Sequence, residues 1–207
     1  RLIATLRKIN VKSKVKNRNR IKRLVIANDA NTGAGIGTTT LNNGLTSSSV
    51  YGTRIQDAEI CLNNADVTKI YGVFESSTTS NASEPELTFL SISGPSNKTG
   101  DLLIGERVIG RTSGAVCVNT GRVNDLKISF ASLNEKKFVV GETVEFVDSG
   151  HTAVISDVSI ADKDIKEDYE LESGRTSTLY DYSRLVRRST RTPVKRLTIV
   201  FESGSYS

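Results

Sequence analysis

Few residues in this sequence have types and spacings that could do chemistry. One histidine, His151, stands beside Asp148 and Ser149. A serine–histidine–acid triad needs groups converging from separate loops, the base oriented by the third residue. Three near neighbours on one stretch therefore read as turn residues. Gly33, Gly35 and Gly37 form a glycine-rich run, but Thr38 takes the last glycine position of a dinucleotide fingerprint. No Gly-Lys-Ser/Thr follows for a phosphate loop. Asp162, Asp164, Glu167, Asp168, Glu170 and Glu172 gather acids without the central glycine and ligand spacing of a calcium loop. Cys61 and Cys117 fit neither a zinc pattern nor a disulfide framework and read as packed, reduced thiols. Asn81-Ala82-Ser83 and Asn97-Lys98-Thr99 are glycosylation triplets in loops of a composition that produces them by chance. The expectation is no catalytic residue, no cofactor and no metal.

The elements that would have to position such groups are strands. From Val11 to Lys22 a basic residue occupies every even position, a period of two that marks an extended chain with one cationic face. Residues 1–23 hold ten Lys or Arg and no acid, whereas the other residues hold 18 basic and 23 acidic side chains. The net charge of +5 therefore describes an arm, and the body is mildly acidic. Residues 28–50 contain 16 Gly, Ser, Thr or Asn and cannot offset the entropy of ordering themselves. Short runs rich in β-branched and aromatic residues follow at 67–75 and 87–93, then near 102–109, 115–118, 126–130, 138–147, 152–160 and 196–201. Residues 51–66 suit either a short helix or a strand.

Leu102–Val118 aligns without gaps on Phe138–Val154. The identical positions are Gly105/Gly141, Glu106/Glu142, Val108/Val144, Ser113/Ser149, Gly114/Gly150 and Val118/Val154. The unit reads as an apolar strand, a Gly-Glu turn, a second strand, a Ser-Gly turn and a third strand. The fold expected is all-β: small β-modules, as a sandwich or partly open barrel, with long loops and an extended N-terminal arm. The segments are a basic arm (1–27), a linker (28–50), a β-rich region (51–101), the repeat module (102–160) and a charged segment ending in a strand (161–207).

Two stretches carry a resemblance. The first runs from Asp164 to Arg175, through Tyr180-Asp181-Tyr182-Ser183-Arg184-Leu185, to a proline and the closing strand Leu197–Phe201. The second is Gly-Glu-x-Val followed by Ser-Gly-Ala. Together they resemble virion structural proteins, of tail or baseplate, from marine and cyanobacterial T4-like bacteriophages. The resemblance covers roughly residues 102–201 and implies a multi-copy virion component, assembled in the host cytoplasm, with no known catalysis or ligand site. Other virion structural proteins are the expected partners. The residues expected to meet them are Lys12, Lys14, Lys16, Arg18, Arg20 and Lys22 of the arm, with Arg184, Arg187 and Arg188 near the C-terminus.

Two other readings compete. The cationic arm could bind nucleic acid through phosphates, although residues 1–23 lack an aromatic to stack on bases. A carbohydrate-binding tail-fibre domain is the other, and with no Trp and six Tyr its sugar platform is thin. No run of 18 apolar residues offers a membrane helix, and nothing at the N-terminus resembles a signal peptide. Because the sequence opens at Arg1, it is expected to be an internal fragment or processed product.

Overall fold

Strand periodicity organises most of the described residues. A computed structural model describes residues 15–27, 53–95, 99–176 and 179–206. The strands, in chain order, are β1 (Lys16–Ile26), β2 (Glu59–Ala65), β3 (Val67–Glu75), β4 (Glu86–Ser93) and β5 (Arg107–Gly110). Then come β6 (Val116–Asn124), β7 (Lys127–Ser132), β8 (Thr143–Phe146), β9 (Thr152–Ser159) and β10 (Lys163–Asp164). The last are β11 (Tyr169–Glu172), β12 (Arg175–Thr176), β13 (Leu179–Tyr180), β14 (Tyr182–Arg187) and β15 (Leu197–Tyr206). The only helical pieces among the described residues are single 3₁₀ turns at Thr99–Asp101 and Lys166–Asp168. None is long and apolar enough to cross a membrane. The open choice for 51–66 resolves as a strand from Glu59 onward, where Ile60 and Leu62 are buried on one face.

The fold is all-β, with a sandwich and a barrel together, the barrel closed rather than partly open. A sheet in the order β1-β15-β3-β10 packs on a second sheet, β11-β14-β2, to make a sandwich. Its core includes Ile26, Ile60, Leu62, Val73, Leu185, Ile199 and Phe201. Between β3 and β10 the chain leaves the sandwich and forms a closed six-stranded barrel, β4-β7-β6-β5-β8-β9. Phe89 and Phe146 meet edge to face inside it, with centroids 5.8 Å apart. A third apolar layer joins the two bodies: Tyr71, Phe74 and Val200 of the first sheet against Val118 and Ala131 of the barrel wall. Strand β15 is thus covered on both faces, which is why Ile199, Val200 and Phe201 are apolar in succession rather than alternating with polar residues.

The barrel is a pseudo-two-fold object. Val108 pairs with Phe146, Ile109 with Glu145 and Gly110 with Val144, so a two-fold through the Ile109–Glu145 pair exchanges residues 36 apart in the aligned segments, Val108 with Val144 and Gly110 with Phe146. The relation continues outward: β7 sits on β6 as β4 sits on β9, with Ser132 opposite Cys117 and Ile92 opposite Ala153. The barrel therefore begins at Glu86, and each half takes one strand, β4 or β7, from outside the aligned segments. The apolar runs Leu102–Ile104 and Phe138–Val140 were expected as strands but are lead-in turns. The cause is local: the Glu106 carboxylate accepts the Leu103 N–H at 2.7 Å, and Glu142 accepts that of Val139 at 2.7 Å. Each bond closes the chain on itself before the strand begins.

Strand β1 is not a detached arm. It pairs antiparallel along its length with β15 and places Ile26 in the sandwich core. A one-residue bulge between Asn19 and Lys22 also breaks the single cationic face expected from the even positions. Arg20 and Ile21 both reach toward the barrel, whereas Leu24 and Ile26 turn into the sandwich.

Candidate functional site: a cationic cleft where sandwich and barrel meet

The basic residues singled out in the sequence are largely met by acids of the same chain. Lys16 pairs with Asp66 at 2.5 Å and Arg20 with Asp148 at 3.0 Å. Arg18 grips Glu202 with two bonds, Nε at 2.7 Å and Nη2 at 2.6 Å. Lys22 donates to Asn64 at 2.6 Å, and Arg23, absent from the expected set, pairs with Glu84 and donates to the Thr120 carbonyl. Lys12 and Lys14 lie outside the described residues, as does the Gly33–Gly37 stretch.

The acidic and basic runs of the C-terminal region answer each other in the same way. β11 and β14 pair antiparallel, and just past that ladder Arg188 reaches Glu170 at 2.6 Å. Arg184 bridges Glu59 at 3.3 Å and Asp181 at 3.2 Å, and Arg187 donates to the Gln56 carbonyl. Asp162 caps the N–H groups of Ser77 and Ser83, and Asp164 caps those of Val73 and Lys166. The acids and bases of this region thus pair within one chain.

The residues with catalytic chemistry are also dispersed. Asp148 turns to Arg20, and the Ser149 hydroxyl donates to Glu106 at 3.1 Å. His151 is buried under Gly94, where an added Cβ would come within 3.0 Å of the His151 backbone. Among the described residues no three His, Cys, Asp or Glu side chains gather as metal ligands. Cys117 lies in the barrel core, where burial pushes its thiol well above the usual range.

Glu106 and Glu142 do a structural task that the repeat conceals. Glu142 accepts the N–H groups of Thr112 and Ser113 and the Ser113 hydroxyl, at 3.1, 2.9 and 2.8 Å. Glu106 accepts those of Asp148 and Ser149 and the Ser149 hydroxyl, at 3.2, 2.9 and 3.1 Å. Each copy's glutamate thus clamps the Ser-Gly turn of the other copy. Burial would raise the Glu142 carboxyl, but the bonds from Ser113, Val139 and Thr112 outweigh it and hold the group below its usual range.

What remains open is a cleft of about 420 Å³ where sandwich and barrel meet. Arg18 and Arg20 of β1, Lys69 and Tyr71 of β3, and Arg107 of β5 line it, with Glu202 and Asp148. Glu202 is the buried anchor, accepting from Arg18, Tyr71 (2.8 Å) and Thr68 (3.1 Å). Burial opposes its charge, yet those donors win and hold its carboxyl below the usual range. Burial and the bond to Glu202 push the Tyr71 hydroxyl up to about 12.

No family model, no curated protein and no solved structure matches this chain.

The geometry of the cleft stands by itself. Four cations face two acids, and both acids are already engaged, Glu202 by Arg18 and Asp148 by Arg20. Lys69 lies over the Tyr71 ring at 5.2 Å, and Arg107 has no acid partner among the described residues. Lys69, Tyr71 and Arg107 carried no signal in the sequence. Lys69 and Tyr71 share β3 while Arg107 lies on β5, more than 30 positions along the chain, and only the docking of barrel on sheet brings them together. A second cleft of about 460 Å³ is mainly apolar, lined by Phe74, Phe130, Phe138 and Ile160 with Lys137 and Lys163.

Proposed function

We propose that this chain is a structural component of a bacteriophage virion, in tail or baseplate, present in multiple copies and acting through contacts with other virion proteins. The virion setting rests on the C-terminal resemblance set out above. The mode of action rests on one observation: among the described residues β1 is the outer strand of its sheet, paired on one side only, and ion pairs along its length hold it in place. A preformed edge of eleven residues can take a neighbour's strand through backbone hydrogen bonds. Its Lys and Arg side chains discourage pairing with another copy of the same edge.

The acid partners of Lys16, Arg18, Arg20 and Arg23 argue against nucleic acid as the main ligand. A cation already paired inside the protein gains less from a phosphate than a free one.

The test is made on particles. In purified virions from the source, quantitative mass spectrometry should find this chain in a fixed ratio of several copies per particle. Antibody-gold labelling should place it on the tail or baseplate. Absence from particles, with the chain recovered free in the lysate, would overturn the proposal.

A further inference from the structure

The geometry points to the cleft between sandwich and barrel as a binding site for the carboxylate side chains of a partner protein's acidic segment. This deepens the assembly reading by naming the partner's chemistry.

The fold leaves part of the cleft's positive charge without an acid partner among the described residues. Arg18 and Arg20 are neutralised by Glu202 and Asp148. Lys69 and Arg107 have no acid partner among the described residues, and they come from different bodies, Lys69 from sheet strand β3 and Arg107 from barrel strand β5. An anion between them would therefore touch both bodies and hold one against the other.

The cleft also selects among anions. Two carboxylates, Glu202 and Asp148, lie in its lining and would repel a continuous polyphosphate strand passing through it. Tyr71, the only aromatic lining it among the described residues, is buried, with its hydroxyl tied to Glu202, so it offers no ring face for a base to stack on. A volume of about 420 Å³ has room for one or two side chains. Discrete carboxylates, carried singly on a flexible acidic segment, can pair with Lys69 and Arg107 while bringing less negative charge to Glu202 and Asp148 than a polyphosphate strand.

The test uses the full chain and three probes: a fluorescent oligoglutamate peptide, inorganic phosphate and a single-stranded oligonucleotide. Fluorescence anisotropy should show peptide binding that weakens with salt. The double variant Lys69→Gln/Arg107→Gln should bind the peptide about tenfold more weakly, the scale of two partly exposed ion pairs. Lys136→Gln/Lys137→Gln, which removes the same charge elsewhere, should bind as the parent does. Arg107→Lys in the Lys69 parent should keep most of the affinity, and matching thermal melts would show that every variant is folded. Equal binding by cleft and control variants would overturn the inference. So would tighter binding of the oligonucleotide than of the peptide, or phosphate displacing the peptide at equal carboxylate and phosphate concentrations. Because these titrations need only the isolated chain, their failure leaves the particle measurement untouched, and failure on particles leaves the cleft's preference intact.

Discussion

The two halves of the barrel share one backbone plan in two surroundings. At the Gly105 turn, φ is 83°, and β1 lies so close that an added Cβ would collide with the Arg20 side chain. At the Gly141 turn, φ is 88° and an added Cβ would meet nothing within 4 Å. Main-chain bonds repeat almost to the decimal: Gly114 to Gly110 and Gly150 to Phe146 are both 3.0 Å, and Asn119 to Glu106 and Ile155 to Glu142 are 2.9 and 3.0 Å. What the copies share is therefore what builds the barrel. What differs, such as Asp148 against Thr112 in the clamped turns, reflects which half meets the sandwich.

The largest expected effect comes from removing residues 1–23, which strips β1 from its sheet and uncovers one copy only. The shortened chain should lose its cooperative thermal transition or melt well below the parent. If a folded barrel survives, hydrogen exchange at Leu103–Glu106 should rise to the level of Val139–Glu142. Unchanged stability would make β1 a detachable arm after all.

Next come the clamps. Glu106→Gln and Glu142→Gln each turn an acceptor-only group into one that presents a donor to a cluster of N–H donors. Each should destabilise the chain by about 2–3 kcal/mol in urea unfolding. Equal losses would support the two-fold plan, and a loss confined to one copy would break it.

Gly105→Ala and Gly141→Ala then separate backbone from surroundings. A positive φ alone should cost about 1 kcal/mol at Gly141. Gly105→Ala should cost more, because Arg20 must also move, and combining it with Arg20→Ala should bring the two positions together.

The smallest effect is with pH. The Glu142 carboxyl is held below its ordinary value of 4.5, so its contribution is complete above that value and is lost as pH falls through the lower folded one. Unfolding free energies measured from pH 6 down to about 3 should therefore fall less steeply in Glu142→Gln than in the parent.

Much of this was legible in the residues, for identifiable reasons. Gly-Glu-x-Val and Ser-Gly recur at a fixed spacing because both turns need a positive φ and both carboxylates need a turn to clamp. The partners β4 and β7 were not legible as a pair: Leu87 and Phe89 occupy the places of Ile128 and Phe130, but these strands lie outside the 36-residue spacing of the aligned segments and share little else. The even-numbered cations of β1 correctly announced a strand. The bulge after Asn19 could not be read, since it is fixed by register against β15, about 180 positions away. The cleft was hidden for the same reason, being a property of how two bodies dock rather than of any one segment.

The pairing of Lys16 with Tyr206 has a mechanical consequence. Both ends of the described chain leave the sheet at one corner, so a force drawing them apart would peel β1 from β15 one hydrogen bond at a time. The same ladder loaded lengthwise would have to give way all at once. Along this ladder the described chain should therefore yield more easily to unzipping from the Lys16–Tyr206 corner than to shear along β1.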